Sequence, residues 1–285
     1  TSAGRVPTDL GYRVYVDYLL KPESLSEEEK KVIKQEILRE GHGVQEILGQ
    51  TARVLSEITN QLGLTMAPSF EKGILHSLRL IPVAEGRVMV VVVVQSGLAR
   101  SVIVEVEVAF RRGELQDVEG LLNERLAGLT LQEIRRTISE RVADVSGKGR
   151  LLQLVLDSGD KIWTEDHSED LKIAGTDVLL AKPEFTDRKK VSQLMQLLEE
   201  RRILSELLSQ TEEEGLIITI GKESKIDQIV DCSLVKSAYR VGNVTGTIGI
   251  IGPTRMPYAK AVSIVEYAAR SITEVLTGIS NHKDS

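Results

Sequence analysis

VTGTIGIIGPTRMPYAKAVSIVEYAARSITEVL, running from Val244 to Leu276, decides how the rest of the chain is read. Its first part, Val244 to Ile251, is rich in β-branched residues and broken by Gly246 and Gly249, a composition that suits a buried strand rather than a helix. The strand should end at Gly252-Pro253. Pro257 suits a first helical turn, where a missing N–H costs nothing. From there Tyr258, Ala261, Val262, Val265, Ala268, Ala269, Ile272 and Leu276 recur at helical spacing. The expected unit is a strand, a tight corner and a long amphipathic helix.

Gly246, Gly249 and Gly252 invite a nucleotide-binding reading, because a glycine-rich turn into a helix can cradle phosphate. Their spacing opposes it. There is no G-x-G-x-x-G fingerprint and no lysine of a G-x-x-x-x-G-K-[ST] loop. Side chains alternate along a strand, so Gly246 and Gly252 share one face and Gly249 lies on the other. The favoured reading is that glycine lets another element approach the strand closely.

The run GTIGIIGPTRMPYAKAV closely resembles the C-terminal signature of the HrcA family of heat-inducible transcription repressors. TSAGRVPTDLGYRVYVDYLL, at residues 1–20, is similar to that family's wing and following helix. DVLLAKPEF, with the leucine-rich Lys189 to Leu208, resembles its central NLLNQPEF region. These three matches occur in the family's order and span nearly the whole chain. The resemblance implies an α+β, GAF-like antiparallel sheet with flanking helices, interrupted by a helical inserted dimerising subdomain. The borders it implies are residues 1–20 for the wing remnant and connecting helix, 21–112 and 169–285 for the two parts of the GAF-like domain, and 113–168 for the insertion. The family's helix-turn-helix body is expected to precede Thr1, and a start other than Met fits a partial product.

A chain of 285 residues with 41% hydrophobic and 27% charged residues is composed as a globular protein and suggests about two domains. Its net charge of -6 opposes nucleic-acid binding by surface charge alone; the resemblance implies that a separate basic module contacts DNA. One cysteine, Cys232, excludes an intrachain disulfide framework, fits a reducing cytoplasm and reads as a buried structural thiol. The longest apolar run, Val88 to Val94, is too short to span a bilayer, and no membrane partner is expected.

Along the chain, Thr8 or Asp9 can cap a first helix to Leu20, and Ser26 with Glu29 makes a capping box for a charged helix to Glu40. Ile47, Leu48, Thr51, Ala52, Leu55, Ile58 and Leu62 form an apolar helical stripe. An antiparallel meander follows through Leu78–Val83, Val88–Gln95 and Val102–Val108. Helices are expected over Leu115–Leu126 and Thr130–Val142, then a strand at Leu171–Ala174. Asp187 caps one long helix to Leu208. Leu216–Ile220, Ser233–Val241 and Val244–Ile251 complete the sheet, the last two as a hairpin across Gly242-Asn243.

His42, His76, His167 and His282 are scattered without a metal-ligand spacing, and neither a G-x-S-x-G elbow nor a Cys/His pair is visible. Enzyme activity, a metal and a cofactor are not expected. The resemblance places Arg5, with Thr1 and Ser2, on the wing, where a cation reaches phosphate or the minor groove; Arg13 reads as solvated. Lys222, Tyr239 and Arg255 are the candidates for a GAF-like pocket, although Arg255 reads at least as well as a corner residue bonding carbonyls. By resemblance, the complete protein is a cytoplasmic homodimer that binds an inverted-repeat operator of chaperone operons through its N-terminal module, is relieved by heat and is kept active by a GroEL-type chaperonin. The alternative is a GAF-like small-molecule sensor acting through dimer rearrangement.

Overall fold

A computed structural model of the chain describes residues 7–39, 43–106, 112–144, 150–163, 170–209 and 215–281. The helix α1 (Asp9–Val14) runs into a π-helical turn (Tyr15–Leu19) and is followed by α2 (Glu27–Leu38) and α3 (Val44–Thr59). The strands β1 (Leu62–Ser69), β2 (Leu75–Ala84), β3 (Arg87–Val94) and β4 (Ala99–Glu105) come next. Helices α4 (Arg112–Leu126), α5 (Leu131–Arg141), α6 (Arg150–Asp157) and α7 (Gly159–Trp163) lead to β5 (Leu171–Ala174). The chain then forms α8 (Thr176–Leu180), α9 (Arg188–Glu199), α10 (Arg201–Ser209), β6 (Leu216–Ile220), β7 (Cys232–Val241), β8 (Val244–Pro253) and α11 (Tyr258–Asn281).

Two compact units result. The first comprises Thr1–Pro68, His167–Arg240 and Thr245–Leu276; the second comprises Ser69–Asp166, Val241–Val244 and Thr277–Ser285. The first carries a five-stranded sheet in the order β5-β1-β8-β7-β6. β1 and β5 pair antiparallel, from Gly63↔Ala174 to Met66↔Leu171, so the main segment of the second unit, Ser69–Asp166, is an insertion between two hydrogen-bonded strands. It contains the meander β2-β3-β4 as well as α4 to α7. The insertion is therefore not purely helical, and the expected border at residue 113 falls inside it.

The apolar patterns explain the layers of the first unit. Leu62, Leu64 and Met66 of β1, Leu234 of β7 and Ile251 of β8 share one core with Leu179, Leu194, Leu197, Leu204 and Leu208 of α8, α9 and α10. The opposite face meets α3 and α11: Thr65 Oγ1 donates to the carbonyl of Leu48 at 2.9 Å, and the hydroxyls of Ser233 and Tyr258 lie 2.6 Å apart. Cys232 is buried, which with nearby Asp231 pushes its thiol up to about 12 and fits an inert structural role. Both expected capping boxes, Ser26/Glu29 and Thr130/Glu133, are present.

β8 is central, and its glycines serve close approach. Tyr239 on β7 lies across Gly246 and donates its hydroxyl at 2.9 Å to the carbonyl of Met66 on β1, two strands away. A Cβ on Gly246 would come within 2.3 Å of Tyr239 Cζ; one on Gly249 would come within 2.7 Å of the Val235 carbonyl; one on Gly252 would overlap the Gln61 amide. Close approach of neighbouring elements, the role expected of these glycines from their spacing, is what the structure shows.

Three points differ from the sequence expectation. Leu62, expected on the apolar stripe of α3, instead opens β1, because the helix ends at Thr59 and Asn60 turns left-handed. β1, LGLTMAPS, carries no clear strand signal, because Gly63 leaves room for the α3 backbone at Ala52 and both faces are buried. The single helix expected from Asp187 to Leu208 is two, broken at Glu200 (φ -82, ψ 65). The break accompanies the turn of α10 towards β5, where Arg201 donates to the carbonyl of Leu171.

Gly246→Ala should lower unfolding free energy by about 1–3 kcal/mol through overpacking against Tyr239. Gly120→Ala, on an exposed turn of α4 with no atom near the added Cβ, should raise it by about 0.4–1 kcal/mol. Urea unfolding of the two variants beside the parent checks both signs.

Candidate functional site

Thr8 caps α1 by accepting the Gly11 N–H at 3.3 Å, and the π turn closes with Leu20 N–H donating to the Tyr15 carbonyl at 2.8 Å. No residue of α1 or the π turn is buried. Burial of a whole apolar side chain therefore does not hold this segment on the sheet; contacts along one face do.

On that face Arg13 donates from Nε to Glu223 Oε1 at 2.8 Å, from Nη2 to Glu223 Oε2 and to the Ile218 carbonyl at 2.7 Å, and from Nη1 to Asp17 at 3.2 Å. Asp9 accepts the backbone N–H of Lys222 at 3.2 Å. Tyr12 packs on Tyr258 with ring centroids 5.9 Å apart and planes tilted by 50°. The other face is open: Leu10 is 72% exposed and Tyr18 81%, with Val14 and Leu19 beside them.

The same corner carries an ion pair between Arg255 and Glu184, which leaves Glu184 Oε2 buried and without a partner among the described residues. Burial raises the Tyr12 phenol pKa, with the charges of Arg255 and Glu184 acting in opposite directions, so both lie within electrostatic reach of it. Tyr258 is pushed up to about 12, chiefly by burial. Hydrogen bonding to Arg13 holds the Glu223 carboxyl below its ordinary range. Pro7, Gly11, Tyr12, Tyr15, Glu23 and residues 256–259 line a cleft of about 370 Å³ here. A second, open groove of about 420 Å³ runs between β6, β7 and α11, with Glu266, Arg270 and Glu274 on its rim.

The structure thus brings together the three stretches that carry the sequence resemblance: Tyr12 and Arg13 from the first, Glu184 from the second, Arg255 and Tyr258 from the third. Of the expected site residues, Arg5, Thr1 and Ser2 lie outside the described residues. Lys222 is an exposed residue of a 3-10 turn, Tyr239 is buried with its hydroxyl committed to Met66, and Arg255 is half-exposed and paired to Glu184. None of the clefts described among these residues is lined by any of the three. Arg13, read from the sequence as solvated, is instead the best-connected polar side chain of α1. Glu223 and Glu184 had no sequence signal, since their partners lie 210 and 71 positions away. Among the described residues no cluster of three His, Cys, Asp or Glu side chains could hold a metal ion.

The class this frame defines is an α+β protein with a GAF-like antiparallel sheet and an inserted second unit. Residues 45–262 match the family described as the HrcA protein C terminal domain. The heat-inducible transcription repressor HrcA of Chlorobium luteolum is 35% identical over 294 residues, covering 98% of this chain and 82% of that protein. That of Chlorobium chlorochromatii is 37% identical over 283 residues, covering 97% and 81%. That of Desulfitobacterium hafniense is 33% identical over 281 residues, covering 97% and 81%. A crystal structure of a protein described as hypothetical superposes with a TM-score of 0.55 at 20% identity, covering 98% of this chain and 81% of that one, and shares the fold. The chain belongs to the HrcA family of heat-inducible transcription repressors. Its relatives are named as repressors, not as enzymes, and among the described residues no helix is long and apolar enough to cross a membrane.

Arg255→Ala should strand the Glu184 carboxylate and lower stability by about 1–2 kcal/mol at neutral pH, discounted because the arginine is half-exposed. Adding Glu184→Gln should recover most of the loss in thermal denaturation. The Glu223 carboxyl has a folded pKa below its unfolded value, so its stabilisation is complete above the ordinary carboxylate range and is lost as pH falls through the depressed value. An Arg13→Ala variant should lack that acid-side component when stability is followed from pH 7 to 3.

Proposed function

We propose that this chain is the dimerising and regulatory core of a heat-shock repressor that binds an inverted-repeat operator of chaperone operons. The observation that carries the reading is the similarity of nearly the whole chain to proteins named heat-inducible transcription repressors. DNA is contacted through an N-terminal winged-helix module joined to α1, with Arg5, Thr1 and Ser2 on its wing. That division of labour agrees with the chain's net charge of -6, which is of the wrong sign for a nucleic-acid surface. The setting is the cytoplasm.

The inserted unit is the dimerising element of this reading. The open face of its meander carries an apolar row: register places Ile81, Met89 and Ile103 side by side across the three strands, with Ile81 41% and Ile103 58% exposed, and the next row along is Arg79, Val91 and Ser101. A two-fold dimer sets two winged helices on two half-sites, so operator affinity follows dimer stability. A dimer of marginal stability is lost on warming, and a GroEL-type chaperonin restores it.

Anisotropy with a labelled inverted-repeat duplex tests the DNA claim. The chain joined to its N-terminal module should bind with an affinity that falls steeply between low and moderate salt, and the 285-residue chain alone should not. If neither binds, the repressor reading is lost and ligand-dependent thermal stabilisation becomes the next measurement. Ile103→Glu should raise the dimer dissociation constant about tenfold or more in sedimentation, without loss of secondary structure. Warming should abolish operator binding and the dimer together; a folded dimer that has lost operator binding contradicts the proposed coupling.

A further inference from the structure

We propose that Arg13 is a positioning residue for operator recognition: it latches the helix that leads from the DNA-reading module onto the edge strand of the sheet. The inference rests on the repressor reading above. α1 has six residues and its π turn five, too short to be stable as free helix in water, and neither contains a buried residue. What fixes their direction is therefore the set of contacts made by Asp9, Tyr12 and Arg13, of which Arg13 makes most.

β6 is the outer strand of its sheet, and the Ile218 carbonyl faces away from β7 with no strand to pair it. Arg13 supplies the donor. The same guanidinium grips both oxygens of Glu223, and Glu223 is itself oriented by accepting the Ile220 N–H of β6 at 2.9 Å. Asp17, one turn on along the segment, holds the remaining arm at 3.2 Å. Nε, Nη1 and Nη2 are all engaged, which only a planar fork with several donors can do; a lysine ammonium reaches a subset. Two half-sites at a set separation require that each reading module leave the core in one direction. A released α1 would bind single half-sites as before and lose the choice between spacings.

The test compares operator duplexes of native spacing and of spacing lengthened by about five base pairs, half a helical turn, in the chain joined to its N-terminal module. Wild type should prefer the native spacing about tenfold or more. Arg13→Ala, Arg13→Lys and Glu223→Gln should each shrink that preference to about threefold or less with the dimer intact. The swapped pair Arg13→Glu with Glu223→Arg should recover part of it, which a general loss of stability would not. Unchanged spacing preference in Arg13→Ala overturns the positioning role. Hydrogen exchange on the 285-residue chain judges the latch by itself. Amides of residues 12–19 should exchange about tenfold faster in Arg13→Ala while those of Ile248 and Ile250 in β8 stay protected. Equal exchange overturns the latch. A wild type that binds no inverted repeat removes the repressor reading and the operator role with it, and exchange then decides the latch alone.

Discussion

The five-stranded sheet depends on one constraint: its central strand, β8, must be approached on both faces at backbone distance. Tyr239 crosses Gly246 to bond the carbonyl of Met66, tying β7 to β1 over the strand between them. The phenol can be buried only because its hydroxyl finds that acceptor, and burial raises its pKa well above the ordinary value. Gly249 does the corresponding service on the other face, where Lys236 runs against it and caps the end of α10 through the Leu207 carbonyl at 2.5 Å. With β8 fixed, β1 and β5 can pair across just over a hundred intervening residues and complete the sheet of the first unit.

A second organising feature is the division of α1 into a bonded face and an open one. The bonded face is polar and aromatic, and its partners belong to the edge strand β6, to the turn after it and to the β8–α11 corner. Such contacts are directional and partly solvated, so they set an angle more than they add stability. The open face, Leu10, Val14, Tyr18 and Leu19, keeps its apolar side chains in solvent among the described residues.

Much of this fold was legible in the sequence. Helical spacing located α3, α5 and α11, and both capping boxes stand where Ser26/Glu29 and Thr130/Glu133 put them. Alternation gave the meander, and β-branched runs gave β6, β7 and β8 to within a few residues. The misses have physical causes. β1 lacks alternation because it is buried on both faces and interrupted by a glycine that a helix backbone requires. The break at Glu200 has no glycine or proline to announce it, because the torsion change is imposed by where α10 goes. The meander resembles any half-buried sheet in sequence, and only the pairing of β1 with β5 on either side of it groups it with α4 to α7.

The sequence by itself determined the elements, their caps, the solvent-facing charge and the membership in a family, since each is carried by residues close together in the chain or by motifs that can be matched one at a time. The tertiary structure alone decided what those motifs are near. Arg13 meets Glu223, and Arg255 meets Glu184, across separations at which sequence spacing holds no geometric information. Three stretches that appear in the chain as separate signatures became one corner only when the sheet order placed β6, β7 and β8 side by side and set α1 along their edge.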